Sequence, residues 1–480
     1  MEILIALYAI FFLILAVRRL DWAIMLIIIA LPSYLIRFKI FNLPSTLLEL
    51  MILIAFFVWT VANYKRIYVN LRELLLKNNY KIKIRYPFDL EIILLLIVAF
   101  IAAGVADFSE GALGAWKAYF FEPILFFILI INIFPTETKK EKIFWSLAIS
   151  SLIVSLIAIF QKITGVFIFN DFWATADTRR VVSFFGYPNA VGLYLGPILL
   201  VLIGWFVQQF KNYKLNIKQI SSVAPDSARQ DKIKQFLKIS FIAVSIICSF
   251  SAIYFAKSKG ALLGVIVGIV VFGLLAGKKA RIIVFLSAII FGVCVYIYQP
   301  AKNSIIANIT FNNLSGQIRQ QQWRETWQML KAGRIISGAG LANYQKTIQQ
   351  YHQAGIFFNN NNDPDFHRKT VFSEDYRRKH WQPLEIYLYP HNIIFNFWSE
   401  LGLAGLLLFI WVIGKYFYIL IADRRSQTAD FMYLNLGLLG AMTVIVIHGL
   451  VDVQYFKNDL AILFWLLMGL SPNAIFGIKF

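Results

Sequence analysis

Charged residues are scarce in this sequence, and their scarcity decides the class of protein. Only 15% of the 480 residues are charged, whereas 59% are hydrophobic and the mean hydropathy is +0.66. Soluble domains carry about 25% charged residues and roughly 45–50% apolar ones. Apolar runs such as 92–106, 183–207 and 261–276 are close to, or beyond, the ~20 residues that cross a bilayer. The composition excludes an ordinary soluble domain and predicts a multi-pass membrane protein in the lipid bilayer.

Cysteine and histidine are also rare. Cys248 and Cys294 are the two cysteines, and both lie inside apolar runs, where they are expected to pack as small hydrophobes. The five histidines show no HExxH or other metal-ligand spacing, and the phosphate-loop pattern GxxxxGK[ST] does not occur. The sequence therefore predicts no metal, no cofactor and no coupling to nucleotide hydrolysis.

Positive charge is the one abundant kind of charge, with a formal net charge of +20. The basic residues lie between apolar runs and not on one soluble module, which argues against a nucleic-acid partner. Lys and Arg beside membrane spans instead set topology, because they favour the cytoplasmic side. Strongly basic short loops occur at 18–19, 65–85, 139–142, 211–238, 278–281 and 424–425.

About thirteen spans are predicted, within a range of 12–14, and all basic loops then fall on one side. The approximate cores are 2–17, 21–38, 46–64, 90–107, 113–134, 143–161, 183–207, 238–255, 260–277, 282–299, 393–421, 431–451 and 459–476. The expected fold is all-α and polytopic. Residues 1–299 form the first ten spans, 300–390 a mainly helical extracytoplasmic cap, and 391–480 the last spans. The N-terminus is expected outside, and Arg66, Lys232 and Arg424 inside.

One apolar span opens with polar residues, in the stretch YPHNIIFNFWSELGLAG. Asn392, Asn396, Ser399 and Glu400 lie at positions i, i+4, i+7 and i+8, so a helix places them on one face. Such a stripe can bond to neighbouring helices. It can also line a polar cavity at the outer edge of the membrane, and His391 would then stand at its lip. An ionisable residue near membrane depth favours the second interpretation.

A second candidate lies in the cap, in the stretch IRQQQWRETWQML. Arg319, Trp323, Trp327 and Leu330 follow a helical spacing along one face, whereas Arg324 points away from it. An arginine in line with a buried face needs an anionic or stacking partner. Arg319 is therefore a candidate for anion binding, and Arg324 is expected to be solvated.

Three more short motifs adjoin the predicted outer ends of spans: Arg179-Arg180 before GYPN, KSKG at 257–260, and HGLVD at 448–452. Their outward cations are either tolerated exceptions to the charge bias or binders of an anionic headgroup or substrate. Asp363-Pro364-Asp365 imitates the D-x-D metal motif of glycosyltransferases, but its setting in NNNNDPDF favours a solvated turn.

Taken in order, these motifs resemble the O-antigen ligase / O-antigen polymerase superfamily of bacterial lipid-linked glycan transferases. The order is an outer Arg before G-x-P-N, then S-[RK]-G, then R-x-x-x-W with G-x-G, then HN with E-x-G-x-x-G, and finally H-G-x-x-D. The resemblance runs from about Arg179 to the C-terminus. The part HN–E-x-G-x-x-G after a large outer loop is the most specific.

The resemblance implies a metal-independent, GT-C-like glycosyltransferase of the bacterial cytoplasmic membrane, with its active site on the extracytoplasmic side. The donor would be a glycan on undecaprenyl diphosphate, and the acceptor another glycan, lipid A–core or another envelope component. The family's loop histidine maps onto His391. Its diphosphate-binding cations map onto Arg179 or Arg180, Lys259 and Arg319, and Asn392, Glu400, His448 and Asp452 are supporting positions. Lys259 departs from the arginine of many members, so the bidentate fork is lost there.

The residue types fit this chemistry. A neutral histidine, with an ordinary pKa of ~6.5, can take the proton of a sugar hydroxyl, and fixed cations can stabilise a diphosphate leaving group. A direct displacement would invert the anomeric centre. A flippase or transporter could use the same cations but would want charges deep in several spans, and an assembly scaffold would need no aligned His and cations. Ligase, polymerase and protein-modifying relatives remain open because the sequence does not identify the acceptor.

Overall fold

Helices make up most of the chain in the computed structural model, which describes residues 2–40, 43–69, 88–219, 226–359, 363–423 and 432–472. Before the cap they are α1 Glu2–Arg18, α2 Leu20–Ile29, α3 Leu47–Ala62, α4 Asp89–Val105, α5 Glu110–Trp116, α6 Glu122–Ile133, α7 Glu137–Thr164, α8 Asp171–Ala174, α9 Pro188–Gln219, α10 Asp226–Phe255, α11 Lys259–Ala276 and α12 Lys278–Ile297. From the cap onward they are α13 Gln299–Ile309, α14 Leu314–Met329, α15 Tyr344–Ile348, α16 Phe366–Phe372, α17 Glu374–His380, α18 Ile393–Asp423, α19 Met432–Gly449 and α20 Asn458–Leu470.

The prediction of an all-α polytopic membrane protein is confirmed. Within the described ranges, eight helices are long and apolar enough to cross a membrane, and one of them is the continuous stretch Glu110–Ile133, in which a π-helical turn joins α5 to α6. The helices α2, α3 and α20 are shorter and apolar. Each predicted core overlaps at least one of the helices above. Two small antiparallel sheets lie among the helices: β1 Arg37–Ile40 pairs with β2 Leu43–Thr46, and β3 Gly355–Phe357 with β4 Trp381–Pro383.

The predicted core at 21–38 is too long. The helix stops at Ile29, and a 3-10 turn, Leu31–Leu35, leads into the first hairpin. Pro32 explains the stop, because proline lacks the N–H that would continue the helix and disfavours helical geometry in the residue before it. Of the basic loops used to predict topology, residues 70–87 and Arg424-Arg425 lie outside the described residues.

The centre of the bundle is built from α9, α11 and α19, which pack at backbone distance. A Cβ placed on Gly204 of α9 would lie 2.7 Å from the Cα of Gly437 on α19, and one on Gly268 of α11 would lie 3.0 Å from the Gly440 carbonyl oxygen. Small residues allow membrane helices to approach so closely. By contrast, α12 has no buried residue among those described and presents apolar side chains on all sides. Both cysteines are free: Cys248 is half-buried, and Cys294 lies exposed on α12.

The cap is anchored to the bundle by residues 335–342, which form a docking segment between α4 and α18. The helix α18 is broken at Gly402, where φ is +71° and ψ is −173°. Main-chain groups of the docking segment enter this break. The Leu403 amide donates to the Ile336 carbonyl at 3.1 Å, and the Ala339 amide donates to the Ser399 carbonyl at 2.6 Å. The sequence motif E-x-G therefore marks a helix break that receives the cap.

Replacing Gly402 by alanine is expected to destabilise the fold markedly. A Cβ there would lie 2.1 Å from the Ile336 carbonyl oxygen, and its φ/ψ region costs a non-glycine residue on the order of 1–3 kcal/mol by itself. Gly414→Ala on the same helix is the control, because a Cβ at Gly414 meets no atom within 4 Å. Thermal unfolding of the detergent-purified variants should show a clear drop in Tm for Gly402→Ala alone. Equal Tm values for the two variants would contradict the proposed helix break.

Candidate functional site

Several motifs that are distant in the sequence meet around Asp452, in the loop between α19 and α20. The Asn189 side-chain amide donates to Asp452 Oδ2 at 2.9 Å, and its Oδ1 accepts from the Arg180 guanidinium at 3.1 Å. Arg319, on α14, donates through Nε to the Val451 carbonyl at 2.9 Å. The structure thus joins Arg180, G-x-P-N, the cap helix and H-G-x-x-D in one hydrogen-bonded cluster.

The start of α18 belongs to the same cluster. Asn392 caps this helix, since its Oδ1 accepts from the amides of Ile394 and Phe395 at 2.9 and 3.2 Å. Its side-chain nitrogen donates to the Leu450 carbonyl at 3.0 Å. The predicted helix from about Asn392 is therefore confirmed, and its first residue is tied to the loop that carries Asp452.

His391 is positioned by the cap helix α14. Its Nδ1 lies 3.2 Å from Oε1 of Gln322, which is buried, and Trp323 Nε1 donates to the Pro390 carbonyl at 2.9 Å. The rings of Tyr387 and Tyr389 pack edge-on against the imidazole at 5.1 and 5.4 Å. With Gln322 Oε1 as acceptor, Nδ1 carries the proton, so the Nε2 lone pair is left to accept another.

The surroundings of His391 favour its neutral form. Burial lowers the pKa of the imidazole below its ordinary value, the charge of Asp452 raises it, and the charge of Arg319 lowers it further, with a net shift downward. A neutral imidazole is the form that can act as a general base.

A pH profile is expected to report this shift. Because the folded pKa of His391 lies below 6.5, the neutral base persists as the pH falls through 6.5, and activity is lost only at lower pH. Asp452→Asn removes the charge that opposes this shift, so the acid limb of kcat should move to still lower pH. Measured profiles of wild type and variant check this, and an acid limb that moved upward in Asp452→Asn would contradict the assignment.

Two guanidinium groups belong to this cluster: the charge of Arg319 acts on both Arg180 and His391. Burial lowers the pKa of Arg180, and the nearby charge of Arg319 lowers it further. Within the described ranges, neither arginine has a carboxylate oxygen within 4 Å. Two half-buried cations that share no direct counter-ion form a site suited to a multiply charged anion.

The other two predicted cations are engaged elsewhere. The guanidinium of Arg179 donates to the carbonyls of Ala174, Lys162 and Ile163, so it closes the end of α7. Lys259 is exposed at the start of α11, and its ammonium bonds to Asn308 Oδ1 of α13 at 2.9 Å.

His448 packs where the S-K-G turn comes closest to α19. It is buried, and its Nδ1 lies 3.1 Å from the Gln454 side-chain nitrogen. A Cβ on Gly260 would lie 2.7 Å from His448 Cδ2, so glycine is required for this approach. His448 and Gly260 therefore pack against each other next to the loop that carries Asp452.

Two residues of the predicted polar stripe of α18 bind the docking segment and do not line an open cavity. Glu400 Oε2 accepts from the Ala342 amide at 2.5 Å, and the Ser399 carbonyl receives Ala339, so both residues hold the docking segment. Asn396 is buried, and its side-chain amide has no hydrogen-bond partner among the described residues. The hydrogen bonds of Glu400 and Ser399 thus support the first interpretation, in which the stripe bonds to neighbouring segments of the chain.

The cap helix agrees with its predicted orientation, with one exception. Arg319 points into the cluster, Arg324 is exposed, and Leu330 is buried, as the spacing indicates. Trp327 remains 38% exposed and packs edge-on against Trp398, with ring centroids 5.7 Å apart.

Asp363, of the D-x-D triplet, is occupied by neighbouring side chains. Its Oδ2 accepts from Lys369 Nζ and from the Tyr376 hydroxyl, both at 2.8 Å, and Oδ1 accepts from the Asp365 amide at 3.0 Å. These bonds build a turn in the cap, as the turn-rich sequence favours. Among the residues that the structure describes, no group of three or more His, Cys, Asp or Glu side chains could hold a metal ion.

Two residues of the cluster were not identified from the sequence as functional: Gln322, and Asn189 as a link between Arg180 and Asp452. Gln322 lies one position before Trp323, inside R-x-x-x-W, and Asn189 is the last residue of G-x-P-N. Their roles depend on contacts across 69 and 263 positions of the chain, which no local pattern reveals.

The fold and the cluster define a polytopic membrane protein with an ionisable site where its helix bundle meets a cap. A family model described as O-antigen ligase matches residues 244–410, which include the S-K-G turn, α14 and the start of α18. This match confirms the resemblance to the O-antigen ligase / O-antigen polymerase superfamily and supports an activity of that general type, in the inner membrane of a bacterium. A search of curated proteins found no significant match.

Proposed function

We propose that the protein is an O-antigen ligase-like glycosyltransferase that moves a glycan from undecaprenyl diphosphate to a hydroxyl group of an envelope acceptor. The observation that carries the proposal is the juxtaposition of a neutral histidine, oriented by Gln322, with the paired cations Arg180 and Arg319. Gln322, which orients the base, and Arg319 lie on the same helix, so a base and a cation are both available for a transfer from a diphosphate leaving group.

The reaction is a single displacement at the anomeric carbon. His391 Nε2 takes the proton of the acceptor hydroxyl, and the oxygen forms the new glycosidic bond. The bond from the anomeric carbon to the diphosphate oxygen breaks, and its electron pair leaves with undecaprenyl diphosphate. Arg180 and Arg319 stabilise the negative charge that develops on the diphosphate, the role that a metal ion has in other glycosyltransferases. The anomeric configuration is inverted.

The cap and the cluster are assigned to the extracytoplasmic side. We expect a single cysteine at exposed Phe372 in the cap to react with a membrane-impermeant maleimide in intact spheroplasts. A cysteine at exposed Lys234, before the apolar part of α10, should react only after permeabilisation. Both variants are made after Cys248 and Cys294 are replaced by alanine. The reverse labelling pattern would contradict the topology.

Purified protein and defined substrates test the function. Wild-type protein with an undecaprenyl-diphosphate-linked glycan and EDTA should produce glycosylated acceptor and free undecaprenyl diphosphate. Lipid A–core as the productive acceptor identifies a ligase, and a second lipid-linked glycan identifies a polymerase of the same superfamily. Movement of the intact donor across vesicles without transfer would show a flippase instead, and restoration of activity by Mg²⁺ or Mn²⁺ would contradict metal independence.

A further inference from the structure

Lys457 is a cation enclosed by aromatic rings, at the point where α20 begins. Its ammonium lies 4.5 Å from the ring centroid of Tyr187, 5.7 Å from that of Phe185 and 5.8 Å from that of Tyr34. These rings come from two different parts of the chain, so the enclosure exists only in the folded protein. Aromatic faces attract a cation, but they do not neutralise its charge.

Among the described residues, Lys457 has no direct counter-ion. The residue is half-buried, and within the described ranges no carboxylate oxygen lies within 4 Å of its ammonium. Asp459 and Asp452 act on it only as nearby charges. Removing an ammonium from water is costly unless an anion or several acceptors replace the water. An anionic ligand bound in the enclosure would therefore offset the positive charge of Lys457.

The enclosure adjoins the His391 site. The phenol groups of Tyr187 and Tyr389 are near neighbours, and Tyr389 packs edge-on against His391 at 5.4 Å. Asn189, two residues after Tyr187, bonds to Asp452 at 2.9 Å. Lys457 thus approaches the cluster from α20, a side different from those of Arg180 and Arg319.

We propose that Lys457 is a third cation of the anion site and that its ammonium binds a phosphate oxygen of the lipid diphosphate. The inference rests on the proposed function, because it assigns a residue to that donor. Three cations from three segments of the chain can each contact a different oxygen of a diphosphate. The released undecaprenyl diphosphate carries a third negative charge that the glycan-linked donor lacks, and a third cation offsets it. The aromatic walls exclude water around the ammonium and so strengthen its interaction with the phosphate.

Direct binding of undecaprenyl diphosphate, without a glycan, to the purified full-length protein tests the assignment. Lys457→Met keeps the aliphatic stem and removes the charge, and it should weaken binding about 10- to 100-fold, as expected for losing a hydrogen bond to a charged group. Lys457→Arg should restore most of the affinity. Lys331→Met is the matched control, because Lys331 also stands over an aromatic ring, that of Trp327 at 5.0 Å, but is exposed in the cap.

Chemical protection gives a readout that does not depend on how a variant folds. Undecaprenyl diphosphate should protect Lys457 of the wild-type protein from acetylation, measured by mass spectrometry, whereas undecaprenol should not. Protection by a donor with an acidic glycan, but not by undecaprenyl diphosphate, would overturn the phosphate assignment in favour of a sugar carboxylate. Equal weakening of undecaprenol binding in Lys457→Met would also overturn it.

The outcomes separate the two proposals. If wild-type protein fails to bind undecaprenyl diphosphate, the proposed donor is wrong. If wild type binds it and Arg319→Ala weakens binding, while Lys457→Met binds like wild type, only the assignment of Lys457 is wrong.

Discussion

Replacing His391 by alanine is expected to reduce glycan transfer by ~10²–10⁴-fold, the loss typical of removing a positioned general base. The fold and donor binding should remain nearly intact, because the imidazole acts on the acceptor hydroxyl and its hydrogen-bond partner is the side chain of Gln322. Transfer at saturating acceptor, donor affinity and Tm should be measured on the same preparation. The expected pattern is a large fall in kcat with little change in the other two quantities.

His367→Ala is the matched control for this experiment. His367 is exposed on α16 in the cap, so its loss should leave transfer unchanged. If His391→Ala retained the wild-type rate at saturating acceptor, the base assignment would be wrong, and His448 would be the next histidine to test. His448 is a weaker candidate because it is buried against Gly260 and bonds to Gln454.

Arg319→Ala should impair both donor binding and turnover. The guanidinium lies beside Arg180 and close to His391, where the charge of a diphosphate would develop. Removing one such stabilising donor costs about 10²–10³-fold in turnover in well-studied active sites. Because the same cation is proposed to hold the ground-state diphosphate, the apparent affinity for the donor should fall as well. Kinetics over a range of donor concentrations separates these two effects.

The same helix supplies the control. Arg324 lies five positions further along α14 and is exposed, so Arg324→Ala changes the net charge of the cap equally without touching the cluster. Arg319→Lys should recover part of the lost activity, because lysine keeps the charge but not the fork of donors that reaches the Val451 carbonyl. Equal losses in Arg319→Ala and Arg324→Ala would indicate a general electrostatic effect of the cap and would contradict a specific diphosphate site.

Composition and periodicity determined the class of protein. Long apolar runs leave few alternatives to membrane helices, since each backbone polar group in a bilayer must be satisfied within the segment. The helical spacing of Arg319 and Arg324 likewise distinguished the arginine that points into the cluster from the solvated one. The predicted end of α2 was wrong because the apolar composition continues past Pro32, whereas the hydrogen bonds of an α-helix cannot continue through a proline.

Contacts between distant segments required the tertiary structure. Arg179 and Arg180 are neighbours with the same side chain, and only the folded chain shows that one closes α7 while the other reaches Asn189 and the cluster. The sequence pattern favoured a place for Glu400 in a polar cavity, but in the folded chain its carboxylate accepts from the Ala342 amide and anchors the cap.

No local sequence pattern distinguishes Lys457 or Gln322 as functional, because the role of each depends on the residues that surround it in the folded protein. The sequence by itself determined a polytopic helical protein and the set of motifs that carry its resemblance to lipid-linked glycan transferases. Which residues of those motifs face one another was decided by the tertiary structure. The physical reason is that a side chain's role depends on its burial, its charge partners and its hydrogen bonds, and in this cluster these come from residues up to 263 positions apart.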